Sequence, residues 1–193
     1  MFTTFDFLQI VIFVGLLIGL TPIMGNFMYK VFTGEKHLMS TPFGWLERLT
    51  YKLVGVDSAE ETNWKKYALG LVLFNLVGFL FVFLLQLTQA FLPLNPAQLA
   101  NVSWHSAFNT AASFITNTNW QGYCGETTMS YFVQMIGLGV QNFLSAATGI
   151  AVLLALTRGL SRKTTDKIGN FWVDLTRSTL YVLLPLSILF AVF

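Results

Sequence analysis

Cysteine is nearly missing from this chain. Cys124 stands alone, so no internal disulfide can form. Histidine is almost as scarce, with only His37 and His105, and no Cys/His spacing suited to a transition metal occurs. Charge is the third shortage. Asp, Glu, Lys and Arg make up 10% of the residues, whereas a soluble domain carries about a quarter. The formal net charge of +2 is too small to point to nucleic acid. No basic residue precedes Lys30, so the first apolar run does not read as a cleavable signal peptide and is long enough to stay in a membrane. No phosphate-binding loop, DKTG-type phosphorylation motif, HExxH or clustered catalytic polar set occurs. No catalytic residue is therefore assigned, and no organic cofactor is expected.

What the chain has in abundance is apolar surface. Hydrophobic residues are 54% of it, aromatics 16%. Lipid is the natural solvent for such an excess. Four stretches reach the roughly 20 apolar residues that cross a bilayer: about 7–28, 67–92, 129–156, and from Phe171 to the last residue. In lipid every backbone N–H and C=O must be paired within the protein, which leaves helices or closed barrels. These runs are continuously apolar rather than alternating, so the expected fold class is an all-α integral membrane protein. Glycines inside the runs fit either ordinary membrane-helix composition or close helix packing.

The basic residues are placed asymmetrically. Lys30, Lys36, Arg48, Lys52, Lys65 and Lys66 lie between the first two spans, and Arg158, Arg162, Lys163 and Lys167 between the last two. None falls between Tyr67 and Thr157. The positive-inside rule makes both clusters cytoplasmic and puts the N-terminus and 91–128 outside. The first cytoplasmic stretch is expected to hold a short amphipathic helix near 43–53, as a solvated or interfacial connector. Asp174 and Arg177, three apart, share a helix face and are expected to pair.

The outer segment 91–128 is too long for a turn and too polar to cross. Pro93 and Pro96 end the second span. VSWHSAFNTAASFI, 102–115, makes about three helical turns, and the uncharged run TNTNWQ, 116–121, follows. A short helix and a polar strand between two spans is the layout of a re-entrant pore loop. Its helix C-terminus would favour a cation, and its strand carbonyls would replace an ion's hydration shell. A structured outer loop lying on the membrane surface fits the pattern as well.

SFITNTNWQGYCGETTMSYFVQMIGLGVQNFLSAATGIAV (113–152) closely resembles the first pore loop and following helix of the bacterial potassium-transporting ATPase A subunit, KdpA. The resemblance continues through RGLSRKTTDKIGNFWVDLTRSTLYVLLPLS (158–187) and backward through AFNTAASF, LPLNP, ERLTYKLVGVD and TPIMGNFMYKVFTGE. It implies the ion-selecting subunit of an ATP-driven potassium importer in the bacterial inner membrane, with potassium as cargo. It implies a P-type ATPase partner, KdpB, that hydrolyses ATP, and small partners KdpC and KdpF. The implied plan is an extra helix (1–28), a cytoplasmic connector (29–66), a first potassium-channel-like repeat of helix, re-entrant pore helix, filter loop and helix (67–156), a cytoplasmic loop (157–170) and the start of a second repeat (171–193). Four pore loops surround the filter in such subunits, so this chain reads as an N-terminal portion, whether by engineering, gene truncation or splitting. The rival functions are a Trk/Ktr-type channel subunit working without an ATPase, and a membrane scaffold that conducts nothing.

The resemblance assigns the filter to Asn117, Thr118 and Asn119, with Thr116 assisting, through their backbone carbonyls. The segment lacks glycine, and an asparagine is expected to take the left-handed conformation that glycine usually supplies. A simple capped turn is the other reading. Gln121 lines the outer mouth, or braces the strand through a structural hydrogen bond. Trp120 and Tyr123 pack behind the filter or anchor at the interface. Glu126 attracts cations or caps the third span, Cys124 is a bystander, and His105 has no metal partner.

Overall fold

The computed structural model describes residues 3–192. They divide into two compact units, one up to Leu46 and one from Glu47 onward.

The first unit is dominated by one helix, Thr4–Thr33. Thr3 and Asp6 start it with a reciprocal cap: the Asp6 N–H donates to Thr3 Oγ1 and the Thr3 N–H to Asp6 Oδ2. Gly34, at φ +80°, ends it in the left-handed conformation, where its N–H and that of Glu35 reach back to Val31 and Lys30 carbonyls. Between these caps nearly every apolar side chain is exposed within the chain, as expected for a helix whose surroundings are lipid. A second helix, Ser40–Val54, carries the chain from one unit into the other.

The second unit holds three long helices, Trp64–Leu87, Val133–Ser161 and Phe171–Ala191. With Thr4–Thr33 they are the four helices among the described residues that are long and apolar enough to cross a membrane. The second long helix is capped by Asn63, whose Oδ1 accepts the Lys66 N–H, and it stops at Leu87, before Pro93. Its glycines make real contacts. A Cβ on Gly70 would lie 3.2 Å from the Phe171 ring, and one on Gly78 would lie 2.8 Å from Gln141 Oε1. Gly15, Gly19 and Gly149 meet nothing, so close packing explains some of the membrane glycines and composition the rest. The third and fourth long helices each contain a π-helical stretch, Val133–Gly139 and Ser178–Leu183. The latter stops just before Pro185, which cannot donate to the helical ladder.

Two apolar clusters hold the unit. Tyr67, Ala147, Ala151, Phe171 and Leu175 fasten the three long helices at one end. Val82, Phe114, Ala107, Ala111, Met129 and Val133 fasten the second and third to a short helix, Trp104–Ile115, at the other.

Charges gather at the Tyr67 end, and here the expected Asp174–Arg177 pair does not form. Asp174 is 2% exposed. It takes a two-pronged bond from Arg158, at 2.5 and 2.9 Å, and a third from the Tyr67 hydroxyl at 3.0 Å. Arg177 donates instead to Glu47, which also accepts from Tyr51 and Tyr181. Sharing a helix face brings two residues within reach, but each found a partner with better geometry on another element. The fork geometry of arginine rewards that choice. Burial raises the Glu47 pKa, but bonds from Tyr181, Arg177 and Tyr51 outweigh it and hold the carboxylate below the ordinary 4.5. Nearby, Thr62–Asn63 and Lys167–Gly169 form a small antiparallel pair that sequence reading did not anticipate. Gly169 sits at φ +109°, and a Cβ there would collide with the Arg158 guanidinium.

Candidate functional site

The short helix Trp104–Ile115 is too short to span and too apolar on one side to float. Ala107, Thr110, Ala111, Ser113 and Phe114 are its buried residues. On the other flank Phe108 meets Phe79 and Phe83 edge-on, at ring distances of 5.2 and 6.4 Å. Two glutamines set its approach. Gln86, wholly buried, donates to the Ala107 carbonyl and accepts the Val102 N–H at its own backbone oxygen. Gln89, also wholly buried, donates to the Ala100 and Thr128 carbonyls and accepts the Ser130 N–H. One side chain thus ties both ends of the outer segment to the turn that follows the second long helix. Sequence reading missed both residues. Their signal was visible, since an uncharged amide inside an apolar run must find partners.

The end of the short helix explains the conformation of TNTNWQ. The Asn117 N–H donates to the Phe114 carbonyl and the Thr118 N–H to that of Ser113, at 3.3 and 3.0 Å. This pair of bonds is a Schellman cap with Asn117 at φ +57° in the left-handed position. The Asn119 N–H adds a second bond to the Ser113 carbonyl, and Asn119 is itself left-handed, at φ +55°. Thr116 Oγ1 bonds the Ala112 and Ser113 carbonyls and touches Thr118 Oγ1 at 2.9 Å. Both the expected left-handed asparagine and the capped turn are therefore present, in the same residue.

This inward binding of N–H groups has a consequence for the oxygens. Among the described residues, no hydrogen bond reaches the carbonyls of Ile115, Thr116, Asn117, Thr118 or Asn119. Residues 116–119 are exposed. No Asp, Glu, Lys or Arg occurs anywhere from Tyr67 to Gly125. The segment offers a run of free backbone oxygens at the negative end of a helix. Asn117 also reaches the third long helix, accepting from Ser145 Oγ at 3.2 Å. At 1.5 Å per residue, Ser145 lies roughly 18 Å along that helix from Val133.

The remaining assigned residues are scattered. Trp120 is 62% exposed, and Gln121 is exposed as well. Tyr123 packs against the cluster around Phe114, where burial raises its pKa and the neighbouring Thr110 hydroxyl partly offsets that. The Cys124 thiol donates to Glu126 and lowers the pKa of that exposed carboxyl. Glu126 lies in a single helical turn, Gly125–Thr128. The third long helix is capped by Ser130, whose Oγ accepts the Val133 N–H. His105 stacks on Trp104.

Residues 11–193 match the family described as KdpA, potassium-transporting ATPase A subunit. The chain belongs to this family. Among its relatives is the potassium-transporting ATPase potassium-binding subunit of Pseudomonas syringae pv. tomato, 53% identical over 190 residues, which are 98% of this chain and 34% of the relative. The subunits so named from Herpetosiphon aurantiacus and Sorangium cellulosum are 57% and 56% identical over 185 residues, 96% of this chain and 32% of each relative. The chain thus spans about a third of the length of the curated relatives it matches. Family membership and four long apolar helices agree on a multi-pass membrane protein.

Proposed function

We propose that this chain supplies one wall of a potassium-selecting pathway, the first of several pore loops in the potassium-binding subunit of an ATP-driven importer. The observation that carries this reading is the row of unbonded carbonyls from Ile115 to Asn119, with left-handed backbone at Asn117 and Asn119. Stripping water from potassium is costly, and rings of backbone oxygens return that cost. A row with no internal partner is suited to that work. The depth of Ser145 along the third helix supports a loop that re-enters the membrane, since irregular backbone is tolerated there only when buried by protein or facing water. One wall does not make a ring, so the remaining oxygens come from the part of the subunit that the relatives carry beyond this segment.

In this reading Thr116–Asn119 face the ion through their carbonyls, Gln121 stands at the outer mouth, and Tyr123 backs the loop. Trp120 is exposed within this chain and would be covered by neighbouring loops of the complete subunit. The N-terminus and the pore loop face outward from the bacterial inner membrane, by the distribution of basic residues. ATP hydrolysis belongs to a separate P-type ATPase partner, KdpB, with KdpC and KdpF completing the assembly.

The test uses the complete subunit in its complex. Gln121→Arg places a fixed positive charge by the ion path in a poorly screened site. It should weaken potassium uptake severely at normal membrane levels, whereas Thr118→Ser should retain uptake and Cys124→Ala should be silent. Growth at limiting potassium and rubidium uptake report all three. Full uptake by Gln121→Arg would show that Gln121 is remote from the ion path and that the loop is misplaced.

A further inference from the structure

The hydrogen bonds that shape residues 116–119 come from the end of their own short helix and from within the segment, with one exception among the described residues. That exception is Ser145, on the third long helix. Ser145 is 2% exposed. Its hydroxyl lies 3.2 Å from Asn117 Oδ1 and 3.3 Å from the Asn142 carbonyl of its own helix. Asn117 Oδ1 in turn receives Asn119 Nδ2 at 3.4 Å. A line of polar contacts therefore runs from the third helix through the Asn117 carboxamide to both left-handed residues of the segment.

We propose that Ser145 is a positioning residue for ion selection, acting through the Asn117 side chain to fix where the free carbonyls stand relative to the third helix. The proposal rests on the reading of Thr116–Asn119 as a filter wall. The physical case is one of leverage. The Schellman cap fixes the backbone turn but says nothing about its position against the neighbouring helix. The Ser145 hydroxyl, itself buried, supplies a reference on that helix. Discrimination between ions of similar size depends on small differences in oxygen placement, so a lost reference should appear in selectivity before it appears in folding.

The experiment measures potassium, rubidium and ammonium uptake by the complete subunit in its complex, with Ser145→Ala, Asn117→Ala and both together. A neutral hydrogen bond contributes about a factor of five in an equilibrium constant. Ser145→Ala should therefore change the potassium-to-rubidium ratio by roughly three- to five-fold at normal membrane levels. The double variant should match Asn117→Ala, because the two side chains act through one contact. Thr148→Val removes a hydroxyl that bonds only its own helix, at the Leu144 carbonyl, and should leave the ratio unchanged. If Ser145→Ala fails to reach the membrane, Ser145→Cys keeps the size and a weaker donor, and should give a smaller shift in the same direction. An unchanged ratio in the Ser145 variant that reaches the membrane, or additive effects in the double variant, would overturn the proposal. Gln121→Arg run in parallel separates the two failures. Lost uptake there with an unmoved Ser145 variant rejects the role of Ser145 alone, and normal uptake there rejects the filter reading beneath it.

Discussion

Asp174→Ala should be among the most damaging single truncations in this chain, and its cost can be worked from contacts. Asp174 accepts two bonds from Arg158 and one from Tyr67. After truncation the Tyr67 hydroxyl still has the Ala151 carbonyl at 2.7 Å, so that loss is about 1 kcal/mol at most. Arg158 fares worse. Its side chain is 16% exposed and keeps only the Ile168 carbonyl at 3.1 Å. Removing one partner of a buried ion pair costs about 3–5 kcal/mol because the other charge is left unpaired. Arg158 sits in the last turn of its helix and can reach toward headgroups, which favours the lower end, about 3 kcal/mol. Thermal unfolding of the complete subunit in detergent would report this as a midpoint several degrees below the parent. The companion variant decides the reasoning. Arg158→Met with Asp174→Leu removes both charges and should recover most of the loss. A parental midpoint for Asp174→Ala, or a double variant worse than the single one, would show that the uncompensated charge is not what matters.

Three other outcomes follow from the same end of the molecule and from the charge pattern. Gly169→Ala combines a left-handed φ of +109° with a collision against Arg158 and should cost at least about 2 kcal/mol, more than Gly55→Ala, where φ is +72° but the space is open; paired thermal midpoints check the order. Glu47 has a lowered native pKa, so its contribution is complete above the ordinary 4.5 and is lost as pH falls through the native value. Glu47→Gln should therefore be less stable at neutral pH and show a smaller further drop between about pH 5 and pH 3, by unfolding at each pH. A cysteine at the exposed Ser161, in a Cys124→Ala background, should resist impermeant reagents in intact cells, and its labelling would reverse the proposed orientation.

The long helices were legible because the bilayer allows few solutions. An apolar run of that length must pair its backbone internally, and the observed bounds, such as Trp64–Leu87 for the expected 67–92, differ only at the ends. The short helix was legible for the opposite reason, as a run too brief to cross, and the amphipathic connector appeared as Ser40–Val54. The ion pairs were not legible. Asp174 and Arg177 looked like partners because sequence displays neighbours along one helix, while the bonds to Arg158 and Glu47 depend on how separate elements dock. The Thr62–Gly169 pairing has the same origin, as does the staple made by Gln89. The π-helical stretches carry no periodicity signal of their own, since one added residue per turn changes only the register that follows.

The choice of residue at position 117 shows how local and tertiary demands meet. Helices elsewhere in the chain end in the same left-handed turn with glycine: Gly34 at φ +80° and Gly55 at φ +72°. Glycine is the easier residue there, because asparagine retains a Cβ that the left-handed region penalises. Asn117 makes the same turn at φ +57°, so the backbone alone does not call for asparagine. Its carboxamide does what glycine cannot, since Oδ1 is the atom that meets Ser145 and Asn119. At Gly34 and Gly55 nothing beyond the turn is asked of the side-chain position. At Asn117 the turn must also be held at a fixed place beside another helix, with its carbonyls left free. A residue that tolerates left-handed backbone and carries a short hydrogen-bonding side chain satisfies both demands at once.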